Sequence, residues 1–249
     1  MEAPHQQEPV VQRLRFRYAK RGRLRFTSHR DFSRAFERAL RRAQVPIAYS
    51  SGFSPHPRVS YANATPTGVA SEAEYLEIAL NRVADPELVR AGLDRALPIG
   101  LDLIEVVEAK TSDFATRLEA SLWQLRLPGV SKAEATSAVA ELLAQNEVIV
   151  ERKTKDGVRK MDARAAICTL FLVPDPADDV AIVGEGVESV ILNAVVRNGS
   201  PSVRPDDLLA ALRVVAGLVP TSPALVTRLA QGSLDASGNV ADPFGPERD

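Results

Sequence analysis

Hydrophobic and polar residues alternate strictly near the start of the chain. In "RLRFRY", Leu14, Phe16 and Tyr18 fall on one side of a predicted strand and arginines fall on the other. After "KRG", which is typical of a turn or bulge, "RLRF" resumes the alternation with Arg23 and Arg25 pointing outward. The pattern predicts a half-buried strand, continued beyond a turn, with arginines along its polar side.

The period then changes to that of an amphipathic helix. "TSHRD" predicts the start of this helix, with Ser28 as the N-cap and Asp31 as its N3 partner. The apolar positions recur at the i, i+3, i+4 and i+7 spacing of one buried stripe: Phe32, Ala35, Phe36, Ala39, Leu40 and Ala43. The other side of the helix carries arginines: Arg30, Arg34, Arg38, Arg41 and Arg42.

The order of the following elements predicts the fold class. "VPIAYS", "RVSYA" and "YLEIAL" predict strands, "DPELVRAGLDRAL" predicts a helix and "LDLIEVVEA" predicts a closing strand. With one of the two short strands, "VPIAYS" or "RVSYA", left aside as part of the loop, the order is β, α, β, β, α, β, which is the split βαβ, or ferredoxin-like, pattern. Because the pattern recurs in the second half, we predict an α+β fold of two tandem ferredoxin-like units with antiparallel sheets.

The second half also contains a predicted basic hairpin, "EVIVERKTKDGVRKMDA", which turns at Asp156-Gly157 and carries Lys160 and Arg164. Such a hairpin fits an RNA groove, although a solvated hairpin has the same composition. The predicted organisation is a first unit with a basic face at 11–110, a second unit at 120–234, and flexible tails at 1–10 and 235–249.

Charge is segregated along the chain, although the net charge is only −1. From Arg13 to Arg58 there are thirteen Lys or Arg residues and two acids, whereas 66–120 holds eleven acids and five bases. Such crowding favours a surface for a polyanion. Arginine outnumbers lysine 25 to 6, a bias that a GC-rich genome also produces. That bias explains arginine over lysine, but it does not explain the crowding into one segment.

The alternation of the first strand gives the basic residues a predicted location. In a split βαβ unit the helices cover one face of the sheet and the other face stays open. If the apolar residues of "RLRFRY" meet the helices, Arg13, Arg15 and Arg17 lie on the open face, where they suit a phosphate backbone. An ordinary solvated strand face is the alternative.

The stretch "YSSGFSPHPRVSYA" is longer than a simple hairpin requires. Pro55 and Pro57 restrict the backbone on both sides of His56, so this loop favours a ligand site over a plain turn. A second histidine, His29, falls in the first turn of the first helix, beside backbone N–H groups that attract anions.

The connectivity of the loop decides whether the histidines meet. If the loop joins the second and third strands, His56 and Arg58 approach His29 and Arg30; if it precedes the second strand, the histidines separate. Together with hydroxyls such as that of Ser54, two imidazoles could bind a phosphate or transfer protons at a ribose 2′-OH. A purely structural role for both histidines also remains open.

The segments "LRFTSHRDFSRAFERALRRAQVPIAYSSGFSPHPRVSYA" and "PTGVASEAEYLEIAL", with "KMDAR" and "VRPDDLL" further on, resemble the radical-SAM-linked protein family. The resemblance runs from about Val11 to Leu234. Its members are bacterial domains of unknown biochemical function, alone or joined to a radical-SAM-like protein, so it implies a radical-SAM partner in trans. In architecture, the chain is similar to the CRISPR repeat-processing endoribonucleases, which cut RNA without a metal.

Several classes of site are excluded by composition. The chain has a single cysteine, Cys168, so it holds neither an internal disulfide nor a cysteine-ligated zinc or iron–sulfur site. No carboxylate is spaced with the histidines as a metal motif requires, and we predict no cofactor. There is no apolar run of about 18 residues and no secretory signal in "MEAPHQQEPVVQ", so we expect a cytoplasmic protein without a membrane span.

These patterns predict an RNA-binding accessory protein, with tRNA or rRNA as the ligand, rather than an enzyme acting by itself. It would act with a radical-SAM protein in trans or with the RNA-processing and ribosome machinery. The alternative is a metal-independent endoribonuclease that uses His29 and His56. The residues predicted to bind RNA or phosphate are Arg13, Arg15, Arg17, Arg23, Arg25, Ser28, His29, Arg30, Ser54, His56, Arg58, Lys160 and Arg164.

Overall fold

The computed structural model of the protein describes residues 8–154, 157–174 and 188–248. The fold is mixed α+β, with mostly antiparallel strands and several helices. The chain divides into two compact units, Met1–Thr116 with Pro243–Asp249, and Arg117–Asp242.

The first unit has a sheet in the order β4-β1-β3-β2, in which every neighbouring pair is antiparallel. Its elements are β1 (Gln12–Lys20), a 3-10 helix (Gly22–Phe26), α1 (His29–Arg42), β2 (Val59–Ala62), β3 (Ala70–Leu80), α2 (Pro86–Ala96), β4 (Leu103–Glu108) and the short α3 (Phe114–Arg117).

The faces of β1 are those that the alternation predicts. Leu14, Phe16 and Tyr18 are at most 2% exposed and belong to one hydrophobic cluster with the apolar stripe of α1. Tyr18 stacks on Phe32 with ring centroids 4.3 Å apart. Burial of these apolar surfaces fixes which side of β1 faces the helices.

Helix α1 begins as predicted. The hydroxyl oxygen of Ser28 accepts a hydrogen bond from the Asp31 backbone N–H at 3.2 Å and donates to the Asp31 carboxylate at 2.6 Å. Phe32, Phe36 and Leu40 are buried on the inner side of the helix. Ser28 is therefore occupied as a helix cap.

Two predicted strands differ from the structure. The "RLRF" segment is the 3-10 helix, because Gly22 has φ +51 and the Leu24 N–H turns back to the Arg21 carbonyl at 3.0 Å. In "VPIAYS" only isolated bridges form, at Ile47 and Tyr49. Alternation over so few residues does not outweigh a local turn.

The second unit has a sheet in the order β10-β5-β9-β8, and its neighbouring pairs are again antiparallel. β6 and β7 form a separate hairpin, as predicted, whose predicted turn residue Asp156 lies outside the described residues. The elements are β5 (Ala120–Pro128), α4 (Lys132–Ala144), β6 (Ile149–Thr154), β7 (Gly157–Asp162), α5 (Ala163–Ala166), β8 (Ile167–Leu172), β9 (Ser189–Arg197), α6 (Pro205–Ala216) and β10 (Leu225–Gly232).

The C-terminal segment corrects the expectation of a flexible tail at 235–249. It ends in a short helix, α7 (Gly245–Arg248), which belongs to the first unit. The Phe244 ring is fully buried, with its centroid 5.3 Å from that of Tyr75 and 5.6 Å from that of Phe114. An aromatic ring buried in this way orders a segment whose Gly- and Asp-rich composition is typical of disorder. Residues 1–7 of the predicted N-terminal tail lie outside the described residues.

No helix in the described part of the chain is long and apolar enough to cross a membrane.

Candidate nucleic-acid interface

The strand arginines lie opposite carboxylates. Arg13 is 2.8 Å from Glu77, and Arg17 is 3.4 Å from Glu105. Arg15 binds both Glu77, at 2.9 Å, and Glu247. The face of β1 that we predicted to be open and basic is therefore neutralised by acids.

Arg15 is buried, which overturns its predicted role in RNA binding. Its side chain is only 3% exposed, and the Glu247 side chain opposite is fully buried. The guanidinium lies 4.9 Å from the centre of the Phe114 ring and donates to the Thr111 carbonyl at 2.5 Å. The segment that contains α7 carries Glu247 onto this face, so RNA cannot reach Arg15.

The arginine just beyond β1 is also paired. Arg21 donates hydrogen bonds to Glu72 and, at 2.8 Å, to Asp102. The hydrogen bond to Glu72 is the main cause that raises the pKa of Arg21 above its ordinary value. Arginines on and next to β1 thus serve mainly to join strands of the first unit.

Helix α1 carries basic residues in a different setting. Arg30, Arg34, Arg38 and Arg41 are exposed, and no ion pair joins any of them to an acid within the residues that the structure describes. Spaced mostly i, i+4, they form a row that rises about 6 Å per step along the helix. Like charges at this spacing repel one another slightly, and no ion pair of these four arginines offsets the repulsion among the described residues. We call it the α1 arginine row.

Three further arginines of the first unit lie outside α1. Arg23 and Arg25 lie in the 3-10 helix that precedes α1, and the Arg25 guanidinium lies 4.8 Å from the centre of the exposed Phe26 ring. Arg58 precedes β2 and is half-buried. Within the described ranges none of these three arginines has an acidic partner.

His29 packs against an aromatic residue that sequence reasoning missed. Its ring meets Tyr61 edge to face at 4.7 Å, and burial raises the pKa of Tyr61 to about 12, with a hydrogen bond to Ser33 opposing this rise and the charge of Glu37 adding to it. The alternation in "RVSYA" held the signal, because it places Tyr61 on the same side as Val59, toward the core.

The loop around His56 is a tight hairpin. Ser50 and His56 are joined twice: the Ser50 N–H donates to the His56 carbonyl at 3.0 Å, and the His56 N–H donates to the Ser50 hydroxyl at 3.0 Å. At its tip Gly52 has φ +114, which suits glycine alone, and Phe53 is 81% exposed. The hairpin presents His56, Ser54 and an aromatic ring to solvent.

The two histidines lie in segments that are held by different contacts. The turn before β3 meets the region that leads into α1, because the Gly68 N–H donates to the Arg25 carbonyl at 2.9 Å. The His56 hairpin precedes β2 and meets the far end of β3, where the Ala79 N–H donates to the Arg58 carbonyl at 3.0 Å. This is the connectivity for which we expect the histidines to separate.

The two basic residues predicted in the second unit differ in accessibility. Lys160 is 71% exposed and 3.2 Å from Glu151. Arg164 is half-buried and donates to the carbonyls of Leu143 and Ile167, each at 3.3 Å. Arg164 therefore joins backbone segments, and Lys160 alone of the pair faces solvent.

Among the residues that the structure describes, no group of three or more histidine, cysteine, aspartate or glutamate side chains is arranged to hold a metal ion.

A comparison with known protein families assigns the chain to one of them. Residues 13–205 match a family described as "Uncharacterized protein conserved in bacteria (DUF2344)". The chain belongs to this family. No curated protein matches this DUF2344 chain. Among solved structures, one titled "Crystal Structure of an Unknown Protein from Galdieria sulphuraria" is 15% identical, covers 87% of this chain and 96% of that chain, and has a TM-score of 0.24. A likeness at that TM-score carries no argument about fold or function.

Proposed function

We propose that the protein binds RNA, with structured tRNA or rRNA as the ligand, through the α1 arginine row. The observation that carries the proposal is the contrast in pairing: the row is exposed and unpaired in the described residues, whereas the arginines of β1 face acids. Guanidinium groups suit phosphates because they can donate two parallel hydrogen bonds. The phosphates of a bound RNA would neutralise the repulsion between the like charges of the row.

The chain course supports a finer assignment of the fold. Leaving aside the hairpin of β6 and β7 and the short α5, each unit follows the order β, α, β, β, α, β, with its fourth strand beside the first and the first beside the third. We infer that both units are ferredoxin-like split βαβ units. In this arrangement α1 lies on the helical side of the sheet and presents its outer side to solvent.

Exposed aromatic side chains in the segments that carry the basic residues support RNA over other polyanions. Phe26 is 58% exposed under the Arg25 guanidinium, and Phe53 is 81% exposed at the hairpin tip. Unpaired RNA bases stack on such rings, at about 1–3 kcal/mol per base. A purely ionic partner gives no reason to expose two phenylalanines.

The position of the His56 hairpin before β2 supports binding over cleavage, because acid–base attack on a ribose needs both histidines at one phosphate and this connectivity favours their separation. A radical-SAM protein acting in trans stays part of the proposal through the family resemblance. The single cysteine of this chain is consistent with such chemistry being supplied by a partner.

The test is filter binding of structured RNA over a range of salt concentrations. We expect micromolar or tighter affinity at low salt, and contact with about five phosphates gives a slope of log K against log salt of roughly −3.5 to −4.5. Arg34→Glu should weaken binding about tenfold and make the slope less steep by about one.

The matched control is Arg213→Glu, an exposed arginine on α6 with the same change in charge. This variant should bind RNA nearly as the wild type does. A flat salt response, or equal losses in Arg34→Glu and Arg213→Glu, would contradict the proposal.

A further inference from the structure

A cavity of about 380 Å³ lies at the C-terminal end of α1, within the first unit. Its volume is within the range of about 300–1,000 Å³ that is usual for small-ligand sites. Its polar lining comes from Arg41, Gln44, Asn81 and Arg82, and its apolar lining from Leu40, Val45, Pro46, Ile47 and Tyr49. We call it the α1 end pocket.

The two arginines of the pocket favour an anion. Arg41 and Arg82 are exposed, and neither has an acidic partner among the residues that the structure describes. A phosphomonoester carries close to two negative charges at neutral pH, about twice the charge of an internal phosphodiester. Two guanidiniums therefore favour a terminal phosphate over a phosphate within a strand.

The rest of the lining fits a nucleoside. Leu40 and Ile47 are buried and provide an apolar floor, and Tyr49 adds a half-buried aromatic ring. The Asn81 amide nitrogen donates to Glu8 at 2.8 Å, which leaves its carbonyl oxygen to accept from a base or a ribose hydroxyl. Few polar groups around an apolar floor are typical of a small-ligand site.

Gln44 occupies a position where helices usually end in glycine. Its φ is +52, and the Val45 N–H closes the helix by donating to the Leu40 carbonyl at 3.1 Å. A side chain in this conformation is strained, yet here it places an amide at the pocket.

The pocket is continuous with the α1 arginine row, because Arg41 belongs to both. An RNA strand that follows the row toward the C-terminal end of α1 brings its end to the pocket. From this continuity and the pocket's lining we infer that the α1 end pocket binds the terminal, phosphate-bearing nucleotide of an RNA strand. This inference rests on the proposed RNA binding and adds the kind of RNA end that is recognised.

The experiment compares single-stranded RNA oligonucleotides of one sequence that carry a 5′-phosphate, a 3′-phosphate or hydroxyls at both ends. We expect one phosphorylated end to bind about tenfold more tightly than the hydroxyl-ended strand, a gain that one charge-assisted contact provides. Arg82→Gln should abolish this preference while the hydroxyl-ended strand still binds. Arg95 is an exposed arginine on α2 outside the pocket, and Arg95→Gln should keep the preference for the phosphorylated end.

Each other outcome is informative. Equal affinity for all three ends, with RNA still bound, overturns the inference and leaves the proposed RNA binding intact. If neither the oligonucleotides nor structured RNA bind, both the inference about the pocket and the proposed RNA binding are contradicted. Tight binding of a free nucleoside monophosphate, without any gain from a phosphate on the RNA end, would assign the pocket to a free nucleotide and also overturn the inference.

Discussion

Strand β1 and helix α1 carry arginines at similar density, but the two regions use them differently. On β1, Arg15 is 3% exposed between Glu77 and Glu247, and its neighbours on that face also meet carboxylates. On α1, Arg34 and Arg38 are exposed and have no acidic partner in the described ranges. The β1 residues hold distant parts of the first unit together, and the α1 residues are available to a ligand.

The role of a basic segment depends on where the acidic residues of the fold lie. The carboxylates that neutralise β1 come from β3, from β4 and from the C-terminal helix α7, far away in sequence. Among the described residues, no ion pair joins an acid to the α1 arginine row. Pairing in three dimensions, not local charge, therefore separates structural arginines from those that can bind a polyanion.

The largest expected effect is on stability. Arg15→Ala should lower the free energy of unfolding by about 3–5 kcal/mol, because it removes the guanidinium charge that lies against the buried Glu247 carboxylate. Arg34→Ala removes an exposed arginine and should change it by no more than about 0.5 kcal/mol. Urea denaturation of both variants measures the two free energies of unfolding. Similar losses in Arg15→Ala and Arg34→Ala would mean that the arginines of β1 and α1 contribute alike to stability.

The sequence predicts local features of this fold well. Alternation assigns the faces of β1, the Ser28 cap marks the start of α1, and the apolar spacing identifies the buried stripe of that helix. Each of these is set by neighbours within a few residues or by a single period. The order of strands and helices likewise follows from consecutive segments.

The candidate site could be predicted only in part, because its decisive contacts are long-range. Nothing near Arg15 in sequence indicates that Glu247, 232 residues away, covers it. The Gly-, Pro- and Asp-rich composition of the C-terminal segment predicts disorder. In the structure, however, the Phe244 ring packs against the rings of Tyr75 and Phe114. The α1 arginines were visible as a polar helix side, but their lack of acidic partners is a property of the fold.

A smaller effect concerns how the start of α1 is held. His29 packs on Tyr61, whose pKa is raised from 10.0 to about 12, chiefly by burial. Because the folded state keeps this phenol protonated longer than the unfolded state does, its stabilising contribution is complete below pH 10 and is lost as the pH rises toward 12. Stability curves of wild type and Tyr61→Phe should therefore diverge in this window by about 2 kcal/mol. Parallel curves would show that the Tyr61 hydroxyl is solvated and that burial does not raise its pKa.

The smallest effect is at the end of α1. Gln44→Gly should raise the free energy of unfolding by up to about 1 kcal/mol, because glycine adopts the positive φ at this position without strain. Thermal denaturation would detect the gain. A loss of stability instead would show that the Gln44 side chain makes contacts that outweigh its backbone strain.

The central claim is that RNA contacts the α1 arginine row and not the arginines of β1. Ultraviolet crosslinking of bound RNA, with the attached nucleotides mapped by mass spectrometry, tests it most directly. We predict crosslinks between Arg23 and Arg58, including the exposed rings of Phe26 and Phe53. Crosslinks confined to β1 or to the hairpin of β6 and β7, with none between Arg23 and Arg58, would contradict it.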